Sequence, residues 1–247
     1  MIATAVAMRS RLPYLILFGI VLAIAWGLYA SGLATDILRY RKDIVYLTKQ
    51  HLMLVAISGS AAILLGVAIG IWLSRPWMER WAEGAIQAVN MLTSIPTLGK
   101  LALMMTLLGI GPLPAIVGLL IATLLPIIRN TYEGIRAVPA HLVDAAKGMG
   151  MGPRAILGRV ELPNALFVIF AGVRTAMAVN VGTAPIAFLI GGGGLGELIF
   201  TGIDLQEHAM MLAGAIPTAL LAVIVDFLFG QAQYWLVPRG VNPLRTA

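Results

Sequence analysis

The chain has 247 residues, of which 60% are apolar and only 11% charged, with a net charge of +6. A water-soluble domain carries about a quarter charged residues, so this chain cannot cover a globule with polar side chains, and its natural solvent is lipid. The absence of cysteine excludes disulfides and thiolate metal sites, and with no nucleic-acid-binding motif the basic excess is assigned to cytoplasmic helix ends.

Apolar blocks long enough to cross a bilayer, about 20 residues each, fall at 12–33, 51–74, 82–108, 112–129, 165–190 and 209–236. None shows the period-2 alternation of a membrane barrel, so the expected fold class is an all-α polytopic membrane protein of about six transmembrane helices. Arg9 and Arg11 precede an apolar run from Leu12 to Ala34, longer than a signal-peptide core of about 7–15 residues. That run is read as a first span that stays attached. The third span contains Pro96 and the sixth Pro217, both tolerated where neighbours re-satisfy the freed carbonyls. Gly109, Gly111, Pro112 and Pro114 make a stiff turn between spans three and four.

Lys and Arg set the orientation. With the N-terminus inside, cytoplasmic segments hold Arg9, Arg11, Arg75, Arg80, Arg129, Arg136, Lys147, Arg154, Arg159, Arg239 and Arg245. The first outside loop holds Arg39, Arg41, Lys42 and Lys49, and the second (191–208) has no basic residue. The bias favours both termini in the cytoplasm. Gly66 and Gly70 form a small-xxx-small pair suited to close helix packing. Trp26, Trp72, Trp77, Trp81 and Trp235 lie near span ends, as an interfacial belt requires.

One long polar loop, 130–163, then faces the cytoplasm. Its segment VPAHLVDAAKGMGMGPRAILGRVELP (138–163) suggests two short helices, with Pro139 and Pro153 in their first turns. Gly148, Gly150 and Gly152 supply a turn of positive φ between them, and Pro163 is expected to stop the second helix and start the next span. Leu142, Ala145, Ala146 and Met149 share a face by 3–4 spacing. The alternative to a docking helix here is an amphipathic pair lying on the membrane with no partner.

The spacing Asp144-Ala145-Ala146, three residues, Gly150, nine residues, Val160-x-Leu162-Pro163 resembles the EAA loop of ABC importer permeases. Asp144 replaces the family's Glu, and Val160 its Ile. The resemblance implies the type I importer permease fold, with the loop at 138–163 as a coupling helix docked on cytoplasmic ATPase subunits. The stretches Ser94-Ile95-Pro96-Thr97-Leu98, LPIIRNTYEGI (125–135), Gly172-Val173-Arg174-Thr175-Ala176 and IGGGGLGELIF (190–200) are similar to osmoprotectant permeases for glycine betaine, choline and carnitine. Methionine and other amino-acid permeases share some of them, and a methionine-like importer is the nearest alternative. On this resemblance residues 46–238 form the permease domain, and 1–45 a peripheral span with its outside loop.

The resemblance also implies partners: an extracytoplasmic substrate-binding protein and a second permease copy or paralogue. The chain has no GxxxxGK[ST] phosphate loop, so it is not expected to be an enzyme, and ATP and Mg belong to the ATPase. His51, His141 and His208 stand apart from any mid-span acid–base constellation, which disfavours an intramembrane enzyme. A scaffold without transport is a third class, which substrate-dependent ATPase activity in a reconstituted complex would exclude. Few aromatics lie away from the span ends, so a quaternary-ammonium cage is expected in the binding protein.

Three ionisable residues lie within spans, where each needs a partner or a polar cavity: Lys100, Arg174 and Asp226. Arg174 and Asp226 fall at similar depth and are expected to pair. The alternative role for Arg174 is to line the pathway, and Lys100 is a weaker candidate for the same. Pro96 and the run Gly191, Gly192, Gly193 and Gly194 are candidate hinge or gate positions; for the glycines a tight re-entrant loop is the equal alternative.

Overall fold

A computed structural model describes residues 31–243 continuously, with positions 19, 22, 26, 27, 29, 30 and 245 beside them. The expected first span therefore lies almost wholly outside the described residues. The described chain is helical and contains no strand. Its elements are α1 (Leu33–Arg39), α2 (Arg41–Leu73), a 3₁₀ turn (Pro76–Met78), α3 (Glu79–Ser94), α4 (Thr97–Leu108), α5 (Pro112–Arg136) and α6 (Ala140–Gly148). They continue as α7 (Pro153–Ile156), a π-helical turn (Leu157–Glu161), α8 (Leu162–Thr183), a 3₁₀ segment (Ala184–Ile190), α9 (Gly196–Asp204) and α10 (His208–Leu236).

Four stretches are long and apolar enough to cross a membrane: Arg41–Leu73, Pro112–Arg136, Pro153–Ile190 and His208–Leu236. The expected third span is not one helix. Pro96 splits it into α3 and α4, which meet at 92°. Proline lacks the N–H for an i−4 bond and pushes the residue before it to extended backbone, and Ile95 sits at φ −63°, ψ 131°. Pro126 and Pro217, by contrast, lie within continuous helices.

Two expected loops prove partly helical. The outside segment 34–50 belongs to α1 and the first turns of α2, because its charged residues break the apolar pattern without breaking the helix. The second, 191–208, contains α9. Pro163 does not end a helix either: the chain stays helical from Pro153 to Ile190. The π turn just before Pro163 widens the backbone, and the Asn164 side-chain amide donates to the Val160 carbonyl at 2.7 Å.

The centre of the bundle is built from α2, α5 and α8, with Leu54, Val55 and Ala62 meeting Leu119, Ile127, Val173, Ala176 and Met177. Helices do not associate in lipid by apolar burial, so close backbone approach must hold them. Gly66 and Gly70 supply it: a Cβ on Gly66 would stand 2.7 Å from Ile127 Cγ2, and one on Gly70 2.5 Å from Thr131 Cβ. One polar contact pins α2 to α8: the Asn180 side-chain amide donates to Ser58 Oγ at 2.9 Å, both residues fully buried.

Candidate coupling loop and intramembrane charges

The loop begins where α5 outruns its apolar stretch and ends at Arg136. Pro139 stands one residue ahead of the first turn of α6, and its carbonyl accepts from Leu142 N–H at 3.0 Å. The far end of α6 closes as a Schellman cap. Gly150 N–H donates to the Lys147 carbonyl at 2.9 Å, and Met151 N–H to the Ala146 carbonyl at 3.1 Å, with Gly150 at φ +77°. Of the three glycines in the turn only Gly150 needs the left-handed conformation; Gly148 is helical and Gly152 extended at φ −72°.

The apolar face expected on α6 divides in two. Ala146 is buried, 1% exposed, while Ala145 is exposed and Met149 is 70% exposed. A helix turns 100° per residue, so neighbours in sequence point to different surroundings once one of them touches the bundle. His141, Ala145 and Met149, at i, i+4 and i+8, form the outward face. Asp144 also points outward and bonds Lys147 at 3.1 Å. Leu162, at the loop's other end, packs against Ile135, Ala165 and Ile169, while Val160 and Pro163 are half-buried.

Two ion pairs absent from any sequence pattern tie the loop to the bundle. Arg75, just past α2, meets Glu161 of the π turn at 2.8 Å, with side chains only 13% and 16% exposed. Arg136, at the end of α5, meets Glu79 at the start of α3 at 2.6 Å. Between α6 and the base of α2 lies a cleft of about 560 Å³ lined by Arg75, Trp77, Val143, Arg154 and Glu161. The loop is thus a short helix seated on the bundle through Ala146, with the following π turn braced by Arg75.

Deeper in the bundle, Arg174 of α8 and Asp226 of α10 form the expected pair, 2.8 Å apart at closest approach. Arg174 Nη1 also donates to Gln233 Oε1 at 3.3 Å, and Gln233 Nε2 donates to the Phe167 carbonyl at 2.9 Å. The ion pair is half-exposed on the protomer, beside a hollow of about 450 Å³ lined by Ala171, Thr175 and Ala178, while Gln233 is buried. Lys100 is 5% exposed, and its Nζ donates to the Thr93 carbonyl at 3.1 Å. It bridges the Pro96 break.

The glycine run is a packed turn. Gly191, Gly193 and Gly194 all have positive φ, and Gly191 and Gly192 close the 3₁₀ segment onto the Phe188 and Ala187 carbonyls. Gly194 N–H donates to Gln50 Oε1 at 3.1 Å, and Gly111 N–H donates to the Ile190 carbonyl at 2.9 Å. A Cβ on Gly196 would collide with the Pro185 carbonyl. These contacts join α2, the 109–111 turn and the 3₁₀ segment after α8 at one end of the bundle.

Comparison with known proteins adds to this geometry. The family model described as binding-protein-dependent transport system inner membrane component matches residues 62–239. The chain is 48% identical over 225 residues to the osmoprotectant import permease protein OsmY of Salmonella typhimurium, covering 91% of this chain and 95% of that one. It is 39% identical to the choline transport system permease protein OpuBB of Bacillus subtilis, over 82% and 93% of the two chains. A solved inward-facing structure of the MetNI methionine ABC transporter shares the fold at TM-score 0.70 and 23% identity, covering 79% of this chain and 96% of that one.

Proposed function

Since this chain belongs to the family of inner-membrane components of binding-protein-dependent transport systems, we propose that it forms the pathway of an ATP-driven importer for osmoprotectants such as glycine betaine, choline or carnitine. The observation that carries the transport reading is the coupling loop: a Schellman-capped helix with His141, Ala145 and Met149 turned outward, braced by Arg75–Glu161. A rigid helix of this kind transmits a push from an ATPase, where a floppy one would absorb it. The cargo reading draws its support from relatives named for osmoprotectants, choline and carnitine at 37–48% identity. The methionine transporter, at 23% identity, supports only the fold.

The mechanism is alternating access. A separate ATPase pair closes on ATP and Mg and draws two coupling loops together. Two permease halves, identical or paralogous, then rock from inward- to outward-open to receive cargo from an extracytoplasmic binding protein. Both termini lie in the cytoplasm on this reading, which places 138–163 on the ATPase side. The packed glycine turn at the other end serves as a rigid platform beneath the binding protein, and the Pro96 break as the flexible joint of each half. Uptake of labelled glycine betaine, choline, carnitine and methionine by the reconstituted complex tests the cargo. Methionine uptake alone would overturn the osmoprotectant reading, and ATPase activity indifferent to any substrate would overturn transport.

A further inference from the structure

The surface of α3 divides into three faces. Ala82, Ala85, Ile86 and Val89 pack against α5 through Leu124, Leu125 and Ile128. Gly84, Ala88 and Met91 are apolar and exposed. Glu79, Glu83, Gln87, Asn90 and Ser94 are all exposed and fall within an arc of about 80° at 3.6 residues per turn. This polar face runs the whole length of the helix, about 22 Å at 1.5 Å per residue.

It runs into the bilayer and not along its surface. α3 starts at the Glu79–Arg136 ion pair. The chain then reaches Leu101, whose side chain lies under Gly118 of α5. Arg136 and Gly118 are about 27 Å apart along α5 at 1.5 Å per residue. A carboxylate and two carboxamides along such a climb are unfavourable against lipid and demand water or a polar partner.

The charge of this face is one-sided. Lys100 is turned inward onto the Thr93 carbonyl, and Arg174 is neutralised by Asp226. Arg136 is held by Glu79 and Arg129 by Glu133 at 2.7 Å, while Arg80 lies over the Trp81 ring. Glu83 has no ion pair within 4 Å; its own contact is the Gln87 amide at 3.2 Å, and the Arg129 guanidinium that feels its charge is already engaged by Glu133.

We propose that the polar face of α3 lines the water-filled inner half of the pathway, and that Glu83 is a specificity-determining residue favouring cargo with a net positive charge. The proposal rests on the permease reading above. Gln87, Asn90 and Ser94 offer a ladder of neutral hydrogen-bonding groups down which a weakly hydrated organic cation slides without being trapped, and Glu83 supplies the field that draws it toward the cytoplasm.

This chain has no cysteine, so labelling read on this subunit reports the introduced thiol alone. Single Gln87→Cys, Asn90→Cys and Ser94→Cys variants of the assembled transporter, in inside-out vesicles, are treated with small cationic and anionic methanethiosulfonates. All three are expected to react; relative to their rates with a free thiol, the cationic reagent gains about tenfold over the anionic one at Gln87→Cys, one turn from Glu83, and less at Asn90→Cys and Ser94→Cys, about 10 and 16 Å along the helix, while Ala88→Cys and Met91→Cys are expected not to react. Adding Glu83→Gln to Gln87→Cys removes the preference for the cationic reagent. In uptake, Glu83→Gln lowers choline transport about tenfold more than that of zwitterionic glycine betaine, and Glu83→Asp restores it. Protection of the three positions, or reaction of Gln87→Cys with no charge preference beyond that of a free thiol, overturns the proposal. Equal loss of both substrates in Glu83→Gln overturns the role of Glu83. A wild type that takes up neither substrate, yet shows the labelling pattern, rejects the cargo reading and leaves the lane standing.

Discussion

Arg174 grips Asp226 through two parallel hydrogen bonds, Nε to Oδ1 at 3.1 Å and Nη2 to Oδ2 at 2.8 Å. The guanidinium fork matches the carboxylate edge to edge, an arrangement Lys cannot reproduce. Gly230, one turn beyond Asp226, makes room for it: a Cβ there would stand 3.3 Å from Arg174 Cζ. Asp226, Gly230 and Gln233 thus form one α10 face shaped to a single side chain of α8.

Asp226→Ala leaves that guanidinium unpaired at membrane depth, a cost of about 2.5–3.5 kcal/mol on insertion scales, reduced here by the pair's partial exposure. The expected result is a lower unfolding temperature in detergent and poorer assembly. Exchanging the two charges (R174D with D226R) recovers part of the loss. No recovery in the exchanged variant would argue that Arg174 serves the pathway and not the scaffold.

Neighbouring alanines of the coupling loop are expected to fail differently. Ala145→Glu changes only the outward face, so insertion and thermal stability stay normal while uptake falls about tenfold or more, equivalent to about 1.4 kcal/mol lost at the docking face. Ala146→Phe overpacks a buried site and destabilises by about 1–3 kcal/mol. Normal uptake by Ala145→Glu would remove the loop from the coupling path.

Glu161→Gln removes the charge that meets Arg75 in a half-dry setting, with a local cost of about 1–3 kcal/mol. Hydrogen exchange of α6 amides is expected to quicken while that of α5 is unchanged. If α6 exchange does not change, the ion pair does not brace the loop.

Gly70→Leu forces a side chain onto Thr131 and the Ile128 carbonyl, 2.5 and 2.8 Å from its Cβ, and should lower the unfolding temperature through about 1–3 kcal/mol of overpacking. Gly84→Ala, whose Cβ meets nothing within 4 Å, should stabilise α3 by up to about 1 kcal/mol. Equal effects from the two would mean that α2 and α5 do not cross at Gly70.

The pairing of Arg174 with Asp226 was legible from depth alone, because a buried charge has few affordable partners. The Arg75–Glu161 pair was not, since both residues read as ordinary loop charges until α2 and the π turn are brought side by side. The polar face of α3 is hidden in an apolar window at 82–108 for a similar reason. Averaging over the window dilutes the polar residues, and only the packed structure shows that α5 covers a different side of α3 and leaves this face exposed.

Residence in the membrane and helical structure follow from the sequence by itself, since a chain 60% apolar and 11% charged has no aqueous fold and lipid permits few backbones. So does the kinship carried by the spacing from Asp144 to Pro163, which is a matter of order along the chain. Tertiary structure decided what order cannot: that Ala145 looks out and Ala146 in, that the third span breaks by 92°, that Lys100 turns back onto the Thr93 carbonyl, and that four glycines pack as a turn. Each depends on which neighbour occupies a given side of a helix, and a helical repeat specifies faces without saying what they meet.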